Sequence, residues 1–130
     1  MEKQFFRAVK AGDHATVAEL LAANPSLATI ADAEASTPLH YAAWKGHSEI
    51  AKLLIGSGAD IAARNRNDHW GTSPLHAAAH ANNTALVTLL IDSGADINAT
   101  DDNGKTPLFH TSFHKATAAA KLLRAKGATE

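Results

Sequence analysis

An all-α solenoid of four stacked helix-turn-helix units with projecting β-turn fingers is what this sequence predicts, on two phrases that return in step. Thr37-Pro38-Leu39-His40-Tyr41-Ala42-Ala43 comes back as Ser73-Pro74-Leu75-His76-Ala77-Ala78-Ala79, and in altered form as Thr106-Pro107-Leu108-Phe109-His110-Thr111-Ser112. Gly58-Ala59-Asp60-Ile61 comes back as Gly94-Ala95-Asp96-Ile97 and, near the end, as Gly127-Ala128. A period in the low to middle thirties marks stacked supersecondary units, none of which can bury its apolar side alone. The units fall at residues 1–32, 33–66, 67–99 and 100–130 of a single domain, the first and last as caps. Function then becomes a question of which face binds.

Each element follows from its residues. In the second unit Thr37 is an N-cap and Pro38 is pre-set for the first helical position. A short helix runs through Leu39, Ala42 and Ala43, whose small side chains let the next unit approach closely. Gly46 supplies the left-handed residue that ends it. A second helix follows with Ile50, Ala51, Leu53, Leu54 and Ile55 turned towards its neighbours, and Gly58 closes it. Ala59 to Asn67 then forms a turn-rich finger before the next N-cap, Ser73. Pro38 to Gly46, Pro74 to Asn82 and Pro107 to Lys115 are each eight residues apart, so the register holds through three units. Gly58 to Pro74 is sixteen residues and Gly94 to Pro107 thirteen, so the finger before the third unit carries three extra residues, around Asp68-His69-Trp70.

The terminal units depart from the pattern. Gln4 stands where Pro belongs, while Val9, Val17, Leu20 and Leu21 still mark two helices. Asn24 replaces the closing Gly and is expected to take the same left-handed conformation. In the last unit Ala118, Ala119 and Ala120 replace bulky apolar residues, and Arg124 and Lys126 enter the second helix. Polar outer faces are what terminal units need, and four units are read as a nearly complete protein.

Composition narrows the function. The 130 residues carry a formal net charge of -1, and the third unit, from Asn67 to Ala99, has no Lys or Arg. No basic track can run along the stack, so neither nucleic acid nor membrane is an expected partner. With no cysteine there is no thiolate nucleophile and no Cys-type zinc site. The N-terminus lacks the apolar core of a signal peptide, and no apolar run approaches spanning length. A soluble, cytoplasmic protein is expected.

The T-P-L-H-x-A-A phrase, Gly46-His47 and Gly94-Ala95-Asp96-Ile97-Asn98 together resemble the ankyrin repeat family, across the whole chain. The departures are Ala35 for the Gly before the second unit, the lengthened finger, and Phe109, Thr111 and Ser112 in the fourth unit. The resemblance implies a curved solenoid with fingers at right angles, a non-catalytic protein-binding role, and binding through finger tips and the exposed ends of first helices.

Those positions are Lys10 and Ala11, Trp44 and Lys45, His80 and Ala81, and Phe113 and His114, with Glu34 and Ser36, His69, Trp70 and Thr72, and Asp102, Asn103 and Lys105 on the fingers. Trp44, His80 and Phe113 occupy one register position, so a ladder with steps of about 8–10 Å is expected, with Trp70 hanging over it. The partner-binding set is Trp44, Lys45, His69, Trp70, His80, Phe113, His114, Asp102 and Lys105, since aromatic side chains anchor interfaces. The opposing reading makes the ladder internal packing and folds Trp70 over the base of its finger. A monomer is expected; a homodimer built on the same face is the alternative.

Eight histidines raise the question of metal. His76 and His80, and His110 and His114, are spaced i, i+4, which puts each pair on one helical face. His40 and His76 belong to the repeated phrase, where the imidazole bonds the Thr or Ser hydroxyl and nearby backbone; His47 is also a pattern residue. No carboxylate or thiol completes a cluster at metal spacing in the sequence, so no metal and no cofactor are expected. A metal-dependent protein using the histidine pairs is the distant alternative. Charge changes at His69, His80 and His114 would make partner binding sensitive to pH. Catalysis lacks a G-x-S-x-G turn, a phosphate-cradling loop and a Cys nucleophile. Asp96 is expected to bond within its turn, with Asp92, Asp101 and Asp102 as a solvated acidic edge.

Overall fold

The computed structural model describes residues 1–66, 70–112 and 115–129, and among these it shows four consecutive helix pairs and no strand. The pairs are α1 (Glu2–Ala11) with α2 (His14–Ala23), α3 (Pro38–Lys45) with α4 (Ser48–Gly56), α5 (Pro74–His80) with α6 (Thr84–Asp92), and α7 (Pro107–His110) with α8 (Thr117–Ala125). A 3-10 turn, Pro25–Thr29, follows the first pair. First helices stack in the order α1, α3, α5, α7, and second helices in the order α2, α4, α6, α8. His69, Phe113 and His114 of the expected binding set lie outside the described residues.

The repeated phrase is a capping device. The Thr37 hydroxyl accepts the backbone N–H of His40, and the His40 Nδ1 accepts the backbone N–H of Thr37 at 3.1 Å. Ser73 and His76 repeat the arrangement at 3.2 Å. Two orphan donors of each helix start are thereby satisfied reciprocally. The other ring nitrogen ties the units together. His40 Nε2 meets the Thr72 carbonyl at 2.9 Å, and His76 Nε2 meets the Lys105 carbonyl at 3.0 Å. With Nδ1 accepting, Nε2 carries the proton and donates, so both rings are neutral. Burial pushes the pKa of both down, that of His76 to about 4, against the opposing bond to the carbonyl.

The core lies between the two layers. Leu39, Leu54, Leu75, Leu86, Leu90 and Leu123 are fully buried, and Ala42, Ala43, Ala78 and Ala79 are closed off where α3 meets α5. Side chains this small let the helices approach without leaving voids. The position eight residues after the proline keeps positive φ whatever its residue, 77° at Gly46, 59° at Asn82 and 51° at Lys115, although α7 itself stops at His110. One local expectation needs correction. Asn24 is extended, with φ of -149°, because the chain turns directly into the 3-10 segment instead of a left-handed cap. Gly58 closes α4 as expected: its φ is 99°, its N–H donates to the Ile55 carbonyl at 3.1 Å, and the Ala59 N–H donates to the Leu54 carbonyl at 3.0 Å.

α7 is the shortest first helix. Thr111 and Ser112 replace the alanines of the phrase, and their hydroxyls bond back to the carbonyls of Leu108 and Phe109 at 2.6 and 2.7 Å. Such bonds compete with the helical ladder and favour its end.

Candidate protein-binding face

The fingers are pinned by one recurring polar device. Asp32 Oδ1 accepts the N–H groups of Glu34 and Ser36, and Asp101 Oδ1 those of Asn103 and Lys105, at 2.8–3.0 Å. Asn65 fills the same role in the longer finger, where its Oδ1 accepts the Thr72 N–H at 3.1 Å. Asn65 and Thr72 are seven residues apart, where Asp32 and Ser36, and Asp101 and Lys105, are four apart. Neighbouring fingers are joined through the backbone: the Arg66 N–H donates to Glu34 and the Asp102 N–H to Trp70, at 2.7 and 2.6 Å. Ser36 and Thr72, expected at the tips, are instead buried and bonded to the Asn65 side chain.

The second carboxylate oxygen of each finger aspartate reaches the first helix that follows it in the chain. Asp32 accepts the hydroxyl of Tyr41, and Asp101 meets His110 Nε2 at 2.7 Å. Tyr41 and His110 occupy the same position of the phrase, the residue after Pro-Leu-His or Pro-Leu-Phe. Burial alone would raise both carboxyl groups. The Tyr41 hydroxyl, two N–H groups and the Lys10 charge outweigh it at Asp32, and His110 with two N–H groups does so at Asp101, so both stay below the ordinary range. Burial, then the hydrogen bond to Asp32 and its charge, push the Tyr41 hydroxyl up to about 12. Asp101 is therefore no part of a solvated edge; it is 4% exposed. Asp102 is exposed and lies 3.6 Å from Arg64, and Asp96 bonds the Asn98 N–H of its own turn at 3.0 Å as expected.

His76, Asp101 and His110 bring one ligand atom each within 4.8 Å of one another, all buried. A carboxylate thus does complete a histidine cluster in space, which sequence spacing did not show. Its atoms are already committed. His76 Nε2–H is held by the Lys105 carbonyl, His110 Nε2 by Asp101, and His76 Nδ1 by the Ser73 N–H. A metal would require His76 Nε2 to be bare and Nδ1 to be protonated, facing that N–H. The donor set fits a hydrogen-bonded strut between the third and fourth units, and does not fit a metal centre.

On the free side of the first helices the structure gathers aromatic rings in the first two units. Phe6 and Tyr41 meet edge-on at 5.7 Å and Tyr41 and Trp44 at 5.2 Å, while His40 lies 5.8 Å from Trp44. The Lys10 ammonium sits 4.5 Å from the centre of the Tyr41 ring. All three aromatic side chains are half-buried, as is His80, and Lys45 is exposed. Of the expected ladder, Trp44 and His80 are half-buried, Trp44 packed against the core, and Phe113 lies outside the described residues; Met1 is the exposed large hydrophobic among those described. Trp70, also half-buried, stands edge-on to His110 at 5.3 Å, against the fourth unit. Lys105 lies over Phe109 at 4.8 Å. Sequence reasoning missed Phe6 and Tyr41 as members of this face. Projecting α1 onto the register of α3 would have found Phe6, which stands where the phrase has His40.

The family model described as "Ankyrin repeats (3 copies)" matches residues 4–65 and 62–129, and the chain belongs to the ankyrin repeat family. Ankyrin repeats are generic protein-protein interaction modules and are typically non-catalytic. Among curated relatives, the E3 ubiquitin-protein ligase XBAT33 of Arabidopsis thaliana is 44% identical over 59 residues, 45% of this chain and 12% of that protein. Oxysterol-binding protein-related protein 1 of Rattus norvegicus is 36% identical over 69 residues, 52% of this chain and 7% of its own length. The palmitoyltransferase AKR1 of Saccharomyces cerevisiae is 50% identical over 50 residues, 38% of this chain and 6% of its own. The chain spans only a small part of each relative, and their names describe different activities, so the likeness concerns the scaffold. No helix among the described residues is long and apolar enough to cross a membrane.

Proposed function

We propose that the chain is a cytoplasmic, non-catalytic adaptor or inhibitor that holds one protein partner against the free side of its first helices and its finger tips. The observation that carries this reading is the Phe6–Tyr41–Trp44 cluster, three rings in contact that the core leaves half-uncovered, with an ammonium over the middle one. Aromatic groups with a rigid backing and a cation beside them are what hot spots are made of. The scaffold supports the reading, because a stack pinned at every finger loses little freedom on binding. Trp70 and His80 extend the surface towards the third and fourth units, with Lys45, Asp102 and Lys105 at its rim. The test uses the parent, Trp44→Ala, Trp70→Ala and Lys45→Glu as bait in lysate of the source cell. One protein retained by the parent and lost with Lys45→Glu and Trp44→Ala supports the reading, provided Lys45→Glu melts like the parent. Identical captures by all four send the binding face elsewhere. Light scattering at twice the 13.6 kDa chain mass, abolished by Lys45→Glu, would transfer the same face to a homodimer.

A further inference from the structure

Charge on this face is uneven, and the imbalance indicates the chemistry of the partner. Along α1, Lys3, Arg7 and Lys10 are exposed at spacings of four and three, which puts them on one stripe. Lys45, exposed on α3, follows Trp44 directly and stands four residues after Tyr41, on the same side as its ring. Of the exposed residues in α1, α3 and residues 31–36 between them, these four are cations, and the acids are Glu2 and Glu34. Lys3, Arg7 and Lys45 have no ion-pair partner among the described residues. The finger aspartate nearest the rings, Asp32, is half-buried and bonded to Tyr41 and two N–H groups; it keeps its charge and interacts with Lys10, so the patch carries four cations against three acids. In the third unit the matching helix positions hold Ala77, His80 and Ala81, so the cationic patch ends where the second unit ends.

We propose that the face formed by α1 and α3 docks an acidic protein segment carrying an apolar anchor, the anchor on the Tyr41 and Trp44 rings and its carboxylates on Arg7, Lys10 and Lys45. This rests on the reading of the chain as a binding module and adds the class of partner. Positive charge around a desolvated aromatic contact steers an acidic segment in and disfavours a basic one. A nucleic acid is disfavoured: a patch confined to two units neutralises few phosphates, and the third unit offers no further cation to continue the track. The Lys10 ammonium, already over a ring, is placed to bridge ring and carboxylate at once.

The probe is a phage-displayed library of random dodecapeptides, followed by fluorescence polarisation of the selected sequences as fluorescein-labelled peptides. Selected peptides are expected to place Asp or Glu beside Leu, Phe or Trp. Lys10→Glu with Lys45→Glu should raise Kd about tenfold or more, added salt should raise it too, and Lys10→Arg with Lys45→Arg should restore it. Both positions are exposed, so melting reports whether the variants fold, and the arginine pair keeps the comparison valid if the glutamates do not. Neutral or basic selected peptides, a Kd indifferent to charge reversal, no enrichment at all, or preferential binding of a uridine dodecamer or phosphatidylserine vesicles would overturn the inference. Neutral apolar peptides that Trp44→Ala releases would overturn the charge argument alone and leave the binding module standing.

Discussion

At the scale of single residues, the neutral histidines carry the clearest consequence. His40 and His76 each spend one nitrogen on a helix cap and the other on the next unit, an arrangement that works only uncharged. Their folded pKa lies below the unfolded value, so below about 6.5 the unfolded chain binds more protons, for His76 down to about 4. The stabilisation is complete above pH 6.5 and is lost as pH falls towards 4. For His76 alone this is on the order of 3 kcal/mol. Urea unfolding at pH 7, 5.5 and 4.5 should show that loss, and His76→Ala should both lower stability at pH 7 and flatten the slope; an unchanged slope refutes it. Ala35 makes a second point. It holds φ of 61° two residues before the N-cap, where the third and fourth units have Gly71 and Gly104. Relief of left-handed strain outweighs the entropy of a new glycine, so Ala35→Gly should stabilise by about 0.5–1 kcal/mol, read as a higher urea midpoint. Both histidine caps and the substitution at position 35 were legible in the repeats, because local geometry follows a local phrase. The bond from Tyr41 to Asp32 was not, since it closes across a finger whose path depends on the neighbouring units.

At the scale of elements, helix starts show which bonds a sequence can announce. Asp13 and Asn83 cap α2 and α6 with their own side chains. Ala116, at the same register, has none, and α8 borrows its cap: Asn82 Oδ1 accepts the Ala119 N–H at 2.9 Å, from the end of the previous unit's first helix. Asn82 thus combines a positive φ with a bond across units, and the pattern alone reads it only as a substitute for Gly. Asn82→Gly keeps the backbone at ease and removes the bond, so it should cost about 1 kcal/mol. Hydrogen exchange should speed up at Ala119 and through α8 while α4 is unchanged; an unaltered α8 would show that the borrowed cap carries no energy. The two middle helix pairs could be read in advance because Thr-Pro or Ser-Pro, the alanine pair and the closing position recur at a fixed interval, and the outer pairs because Val9, Val17, Leu20 and Leu21, and Thr106-Pro107, keep part of that pattern. The shortness of α7 was signalled by Thr111 and Ser112, whose hydroxyls reach back to the preceding turn. The aromatic cluster was half legible. Trp44 could be named from its register, but its lean onto Tyr41 and the core comes from stacking α1 beside α3, which brings Phe6 and Lys10 to the same ring.

At the scale of the molecule, a stack is as stable as its units and the contacts between neighbours. The second and third units have two neighbours each, complete phrases and fully buried leucines from both helices. The fourth has a four-residue first helix, a second helix without a cap of its own, and a face with exposed Lys121, Arg124 and Lys126. What holds it is the strut of His76, Asp101 and His110, covered by the Trp70 ring, together with Asn82. The fourth unit should therefore open first, with amide protection lowest in α8 and highest in α3 to α6. Trp70 provides a local readout, because its ring stands against His110 of the unit that leaves. Tryptophan fluorescence of Trp44→Phe, which isolates Trp70, should change at lower urea than far-ultraviolet circular dichroism of the same protein. Asp101→Asn weakens the strut and should widen the gap between the two midpoints. Coincident midpoints in both proteins would mean that the four units open as one, and that the strut couples the last unit to the stack as strongly as the core couples the middle ones.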